Sequence, residues 1–429
     1  MMKDTRILTA FGVSTLALFA GVATPTLAQD QGGLITNFSV LQSVEATRNP
    51  SLTVGNSETR TLATTDLNYV LNSTTRGSEL ELSVGGQLRY TLDGNGDTDD
   101  EVTFGGEVLG LTYSTQAPRA SIDASVRYTR NDLDFINASD LINADDGTLA
   151  TDFTDITGTG TRENLTYQFN FQYDQNGPFG WGAQVSGSKL NYNNTSSSDL
   201  VDNTTLNTSL NAQFQITPTM TITAQAGYFL RDTETTSRTA TRSFDLGVTA
   251  VRSDSFEVRG LLSFSRPDAG ATRTTVSAGL TTRPSETSML SVDLGATFTD
   301  DFGTRLTGSM NYDVRPTSTS QFNVQLNTNV TDSINNDVVL NTVALVGAEF
   351  ELTSLTSLSA NAAYAKETEL VTGLEQFEFS RSVQLNRQLT RDWRLSVGGS
   401  QVTRKETGLD RASTDSIFFS IGRDWTARR

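Results

Sequence analysis

Apolar and polar side chains alternate along almost the whole of this chain. In "ELELSVGGQLRYTL", residues 79–92, Leu80, Leu82, Val84, Leu88, Tyr90 and Leu92 share one parity, while Glu79, Glu81, Ser83, Gln87 and Arg89 take the other. A strand sends successive side chains to opposite faces, so such a segment has one apolar face and one that water can wet. The pattern recurs in "ASIDASVRYTR", "LTYQFNFQYD", "LNTSLNAQFQIT", "SVDLGATF", "TRLTGSMNYDV", "QFNVQLNTNV" and "DSIFFSIGRDW". No stretch holds a helical period, so the chain reads as nearly all strand.

The connections alternate in length. From a first strand at about residues 35–47, every second connection is tight, as in "STTRG", "QAP", "TPT", "SDS", "RPSET" and "RPTST", and those between are mostly longer and rich in Asp, Asn and Thr. Short turns at one end and long loops at the other predict an all-β fold, a transmembrane antiparallel up-and-down β-barrel. The count is about 20 strands, with 18 as the alternative because the loops at 299–302 and 331–337 are short for the outer side. With the chain start in the periplasm, the apolar-face aromatics form two girdles. Tyr69, Tyr113, Tyr173, Trp181, Phe256, Tyr312, Trp393 and Trp425 fall near the tight turns. Tyr90, Tyr128, Tyr192, Tyr228, Phe264, Phe298, Tyr364 and Phe377 fall near the long loops, with aliphatic residues between the two sets.

Composition agrees with this picture. Only 36% of the 429 residues are apolar, thin for a packed interior and too polar for a helical membrane protein. A barrel resolves that, because hydrocarbon takes the apolar faces and the bore stays polar. The net charge of -17, with no cluster of Lys and Arg, argues against nucleic acid. There is no histidine and no cysteine, which removes Ser-His-Asp hydrolysis, zinc sites and thiolate chemistry, so neither an enzyme nor a cofactor is expected. "DGNGDTDDE" at 93–101 starts like a calcium loop, but Thr98 stands where Gly is needed and Phe104 where a bidentate Glu should be, so a plain hairpin loop is expected there. Residues 1–28 read as a secretory signal peptide: Lys3 and Arg6 precede an apolar run, and Thr26-Leu27-Ala28 offers a cut after Ala28. Residues 29–429 then form a single barrel domain in the outer membrane.

The wettable parity carries Glu81, Arg89, Asp123, Arg127, Glu257, Arg259, Asp293 and Arg305, along with Glu79, Asp245 and Asp313. In a water-filled bore such charges bias which ions pass, although any barrel lumen must be polar whether or not it selects. The longest loop, 132–160, holds Asp140, Asp145, Asp146, Asp152 and Asp155 with no Lys or Arg, and would form either a cation-favouring constriction or an acidic loop lying on the surface. Arg381 shares parity with Phe377, Phe379, Val383 and Leu385, which aims it at lipid unless a bulge or snorkelling relieves it.

The end of the chain, "SIGRDW", resembles the terminal strand signal of bacterial outer-membrane proteins, with Ser420, Gly422 and Trp425 in the signal positions. Ala427 stands where a second aromatic is usual, and Arg428 and Arg429 run past the usual aromatic terminus. The run "FSVLQSVEATRNPSLTVGNSETRTLATTDLNYVLNSTTRGSELELSVGGQLRY" resembles the opening of β-barrel porins of Gram-negative bacteria, some associated with exopolysaccharide systems. The resemblance implies an outer-membrane barrel assembled by the barrel-assembly machinery with periplasmic chaperones, in contact with outer-membrane lipid and lipopolysaccharide. The expected function is a passive pore for ions, small solutes or a polysaccharide. The rival expectation is a non-conducting structural or surface-display barrel.

Overall fold

In a computed structural model, the structure describes residues 32–50, 52, 54–93, 102–133, 160–195, 200–234, 238–333 and 337–428. The first five strands are β1 (Gly32–Arg48), β2 (Thr59–Thr75), β3 (Ser78–Asp93), β4 (Val102–Gln116) and β5 (Ala120–Asp132). Next come β6 (Thr161–Tyr173), β7 (Phe179–Asn193), β8 (Asn203–Thr217), β9 (Met220–Thr233) and β10 (Thr239–Ser253). The third quarter holds β11 (Phe256–Pro267), β12 (Arg273–Ser285), β13 (Ser288–Thr299), β14 (Gly303–Thr317) and β15 (Ser320–Asp332). The last are β16 (Val338–Thr353), β17 (Thr356–Glu369), β18 (Glu375–Gln388), β19 (Trp393–Glu406) and β20 (Ala412–Arg428).

Every strand pairs antiparallel with its neighbours in sequence, and β20 returns to β1 from Ile35↔Arg428 through to Arg48↔Asp415. The sheet is therefore closed and has no free edge to satisfy, the condition that lets strands cross hydrocarbon. The count is 20, so the short connections after Thr299 and Asp332 do separate strands. At 12 to 17 residues each strand exceeds the roughly 9–11 needed to span a bilayer.

Register fixes the two faces. The row Tyr69↔Val84↔Leu109↔Tyr128 points outward, and Asn68↔Gly85 and Ser83↔Gly110 point inward. Outward aliphatics are strongly exposed, Leu294 to 70%, Ile417 to 71% and Leu306 to 81%, which no water-facing wall of this extent would carry. Near the tight turns the outward rings touch: Phe38 stacks on Trp425 at 5.5 Å, Trp181 lies 5.1 Å from Phe171, and Phe179 lies 5.0 Å from Phe214. Near the long loops Tyr364 lies 6.1 Å from Phe377.

One expectation changes and one alternative is removed. Tyr192 does not belong to the outer girdle: it pairs with Arg162 on the inward parity and is buried, because the apolar side chains at this end of β7 pack into protein rather than lipid. Arg381 sits on no bulge. Its ladders to Ala362 and Gln401 run without a register shift, so it does face outward.

Candidate pore and its mouth

The inner wall of the bore carries a compact ion cluster on β11–β13. Arg259 on β11, Gly279 on β12 and Asp293 on β13 form a single inward row. Arg259 Nε donates to Asp293 Oδ1 at 3.0 Å and Nη2 to Oδ2 at 2.7 Å, a forked pairing of guanidinium on carboxylate. Nη1 also donates to Thr281 Oγ1 and Nη2 to Ser291 Oγ, both at 2.7 Å, while Glu257 Oε1 lies 3.6 Å from Nη1. The partners belong to strands that are not adjacent, so the pair passes over β12. A side chain at Gly279 would run into the Asp293 carboxylate, and only glycine leaves the path clear.

A second pair repeats the device nearer the long-loop end. Arg89 on β3 reaches Asp132 on β5 across Gly105 of β4, where a Cβ would lie 2.8 Å from the guanidinium. Gln87 links this pair to Asp66, accepting from Arg89 Nε and donating to the Asp66 carboxylate. Arg89 is only 4% exposed, so it acts as a tie within the wall rather than as a charge presented to the bore. Of the other wall charges read from the sequence, Asp123 and Arg127 are exposed in the lumen and form no ion pair among the described residues, and Glu81 is half-buried on the same face. Arg305 is half-buried with its Nε lacking a hydrogen-bond partner. Sequence parity located these groups but could not show which of them meet, since the pairings run between strands far apart in the chain.

The two ends of the barrel differ. Toward the tight turns a cavity of about 870 Å³ opens inside the wall, lined by Glu45, Glu349, Gln384, Asn386, Ser420 and Asp424 among others. Toward the long loops the interior is packed. Leu190, Tyr192, Leu200, Val201, Ala271, Val339 and Val343 are all buried there. The β14–β15 ladder ends at Gly308↔Thr328, whereas β15 and β16 stay paired up to Asp332↔Val338, so the tip of their hairpin parts from the wall. That tip meets strands well around the ring: Arg273 of β12 pairs with Asp332, and the buried Arg231 of β9 donates to the carbonyl of Ser333. Asp337, just before β16, has its carboxyl pushed up by burial and by the nearby charge of Glu369. Beside this region Glu378, 1% exposed, accepts from Arg404 at 2.9 and 3.1 Å. Sequence reading missed Arg231, Asp332, Glu378 and Arg404. For Arg231, Glu378 and Arg404 the one signal was inward parity next to strand ends, whereas Asp332 has outward parity on β15 and gave none.

Ser420 and Gly422 face inward and Trp425 outward, so the terminal signal residues divide between the two faces. Asp140, Asp145, Asp146, Asp152 and Asp155 of the acidic loop, the hairpin loop at 94–101 and the leader at 1–28 lie outside the described residues.

This architecture is shared with known structures. The siderophore receptor PirA from Acinetobacter baumannii superposes with a TM-score of 0.51 at 8% identity, covering 93% of this chain and 81% of that one. The chain has the fold of an outer-membrane β-barrel. The ferric-catecholate import receptor Fiu from E. coli K12 gives a TM-score of 0.49 at 8% identity, over 94% of this chain and 82% of that one. OccK7 from Pseudomonas aeruginosa gives 0.41 at 10% identity, over 92% and 99%. No protein-family model and no curated protein matches the chain.

Proposed function

We propose that this chain is exported to the Gram-negative outer membrane and forms a pore there for ions and small polar solutes, driven by their own gradients. The observation that carries the reading is a closed wall with aliphatic residues outside and exposed charges, Asp123 and Arg127, inside. A bore lined this way holds water and a field. The packed end favours small cargo over a polymer, and the long-loop end faces outward. The acidic loop would act as a cation-favouring constriction, and Ser420, Gly422 and Trp425 would be read during assembly. The chemistry of the wall serves passage, not turnover: the charged clusters tie strands together, and the chain has no imidazole or thiol to act on a substrate.

A second reading has its own support. Because the hairpin tip of β15–β16 is held by Arg231 and Arg273, the barrel could stand shut as a structural or surface-display element. Conductance in planar bilayers separates the two. Steady open steps are expected of the wild type, with more frequent or larger openings in the Arg231→Ala/Arg273→Ala variant. Silence from both, in barrels shown to be folded by heat-modifiable migration, would leave the structural reading.

A further inference from the structure

The outer wall carries more positive charge near the long loops than an apolar band requires. The chain has lysine only at 3, 189, 366 and 405, and all three within the barrel point outward by register. On β4–β6 the outward cation Arg130 is matched, 3.3 Å from Glu107 and 3.7 Å from Glu163. On β17–β19 one carboxylate, Glu375, stands beside three cations, and the match is incomplete. Lys366, Phe377 and Lys405 stand side by side in one outward row, and Arg381 lies four residues further along β18 on the same face. Glu375 is engaged by Lys366 at 2.8 Å, and the next outward carboxylate, Asp415, accepts from Gln401 at 2.6 Å. Arg381 and Lys405 are exposed and make no ion pair among the described residues.

Height decides what these cations meet. Gln401, paired with Arg381, is eight residues above the girdle residue Trp393 on β19. For strands tilted by about 40° that is roughly 20 Å along the membrane normal, near the top of a band about 25 Å tall. Lys366 and Lys405 lie higher still, at headgroup level, flanking Phe377, with Tyr364 and Phe379 between that row and Arg381. A cation at this depth without a partner forgoes hydration and gains nothing, whereas a phosphate accepts from guanidinium and ammonium together.

We propose that the outer face of β17–β19 binds the phosphate groups of a phosphorylated glycolipid of the outer leaflet. Lys366 and Lys405 hold a phosphate across Phe377, Arg381 reaches up from below Phe379, and the acyl chains lie along Val383, Leu385 and Val397. This rests on the outer-membrane reading, with the long loops outward. The full chain is refolded into vesicles containing lipid A or its dephosphorylated form, and the retained lipid is measured by native mass spectrometry. Wild type is expected to retain lipid A about tenfold over the dephosphorylated form, equivalent to ~1.4 kcal/mol, and the Lys366→Gln/Arg381→Gln/Lys405→Gln variant to lose that preference. An Arg119→Gln variant at the tight-turn end keeps it, and inorganic phosphate does not compete.

Equal retention of both lipids, an unchanged triple variant that still shows heat-modifiable migration, or displacement by inorganic phosphate alone would each overturn the proposal. A triple variant that changes oligomeric state in light scattering while keeping its lipid would give the face to a second copy, overturning it too. A chain that never inserts into vesicles would fail the membrane reading itself, a result distinct from all of these.

Discussion

The two ends of the barrel solve different problems with the same alternating strands. At the tight-turn end the connections are a few residues long, the interior is a polar cavity, and the ion pairs are loose and exposed: Arg119 with Asp174 at 3.8 Å, with Arg119 71% exposed, and Arg394 with Asp424 at 3.4 Å. At the long-loop end Arg89, Arg231, Arg273 and Glu378 are all buried and aliphatic side chains fill the space between. Tight turns need only hold register, which the ladders already do. Long loops leave a wide ring to be closed or narrowed, and burying charge there is tolerable only where every guanidinium and carboxylate is met. The lesson is that the mouth, rather than the wall, concentrates the interactions whose loss would be felt.

The comparison breaks most visibly at Glu378. Replacing Arg404 by Ala takes the guanidinium away from that buried carboxylate, and unfolding in urea from detergent or lipid should show a loss of about 3–5 kcal/mol, most of it recovered when Glu378→Leu is added. Midway along the bore, Asp293→Asn is expected to lose about 1–3 kcal/mol, because a charged hydrogen-bond acceptor of Arg259 becomes a neutral one. It should also move the reversal potential toward anions, since a fixed negative charge leaves the lumen while Arg259 stays. At the tight-turn girdle, Trp425→Ala should lose about 0.5–1.5 kcal/mol of ring contact with Phe38 beyond its lost area, and slow assembly into membranes.

Acidity tests the mouth more finely. Burial, and after it the charge of Glu369, raises the pKa of Asp337, so a state in which Asp337 is packed holds its proton more firmly than one in which it is in water. Lower pH therefore favours the packed state, and rising pH through the raised pKa weakens it. Open probability should fall on acidification, and Asp337→Asn should flatten that dependence. The smallest effect belongs to the other end: Arg119→Ala should change stability by less than about 1 kcal/mol and leave conductance alone.

Much of this was legible in the sequence, for a simple reason. A strand that faces hydrocarbon must keep a period of two for its whole length, so Leu80 to Tyr90 announced both faces of β3 without any partner in view. Turn chemistry such as "TPT" and "RPSET" then marked where each strand reversed, and the alternation of short and long connections gave the antiparallel ring. Tyr192 shows the limit. Its parity on β7 was misassigned because at the mouth the apolar side chains pack against protein inside the ring, and a pattern of hydrophobicity does not say which side the oil is on. Arg381 shows the converse: parity placed it outward, and register confirmed that placement.

The alternation of side chains determined by itself that the chain is all strand, that each strand has one apolar and one wettable face, and that the charges of the bore lie mainly on the wettable parity. Only the closed structure decided which charges meet. Arg259 with Asp293, Arg89 with Asp132 and Arg273 with Asp332 join residues distant in the chain, two of the three passing over a glycine of the strand between. The physical reason is range: the pleat is local and repeats every second residue, whereas an ion pair across a barrel depends on where strands many residues apart are brought by closure of the ring.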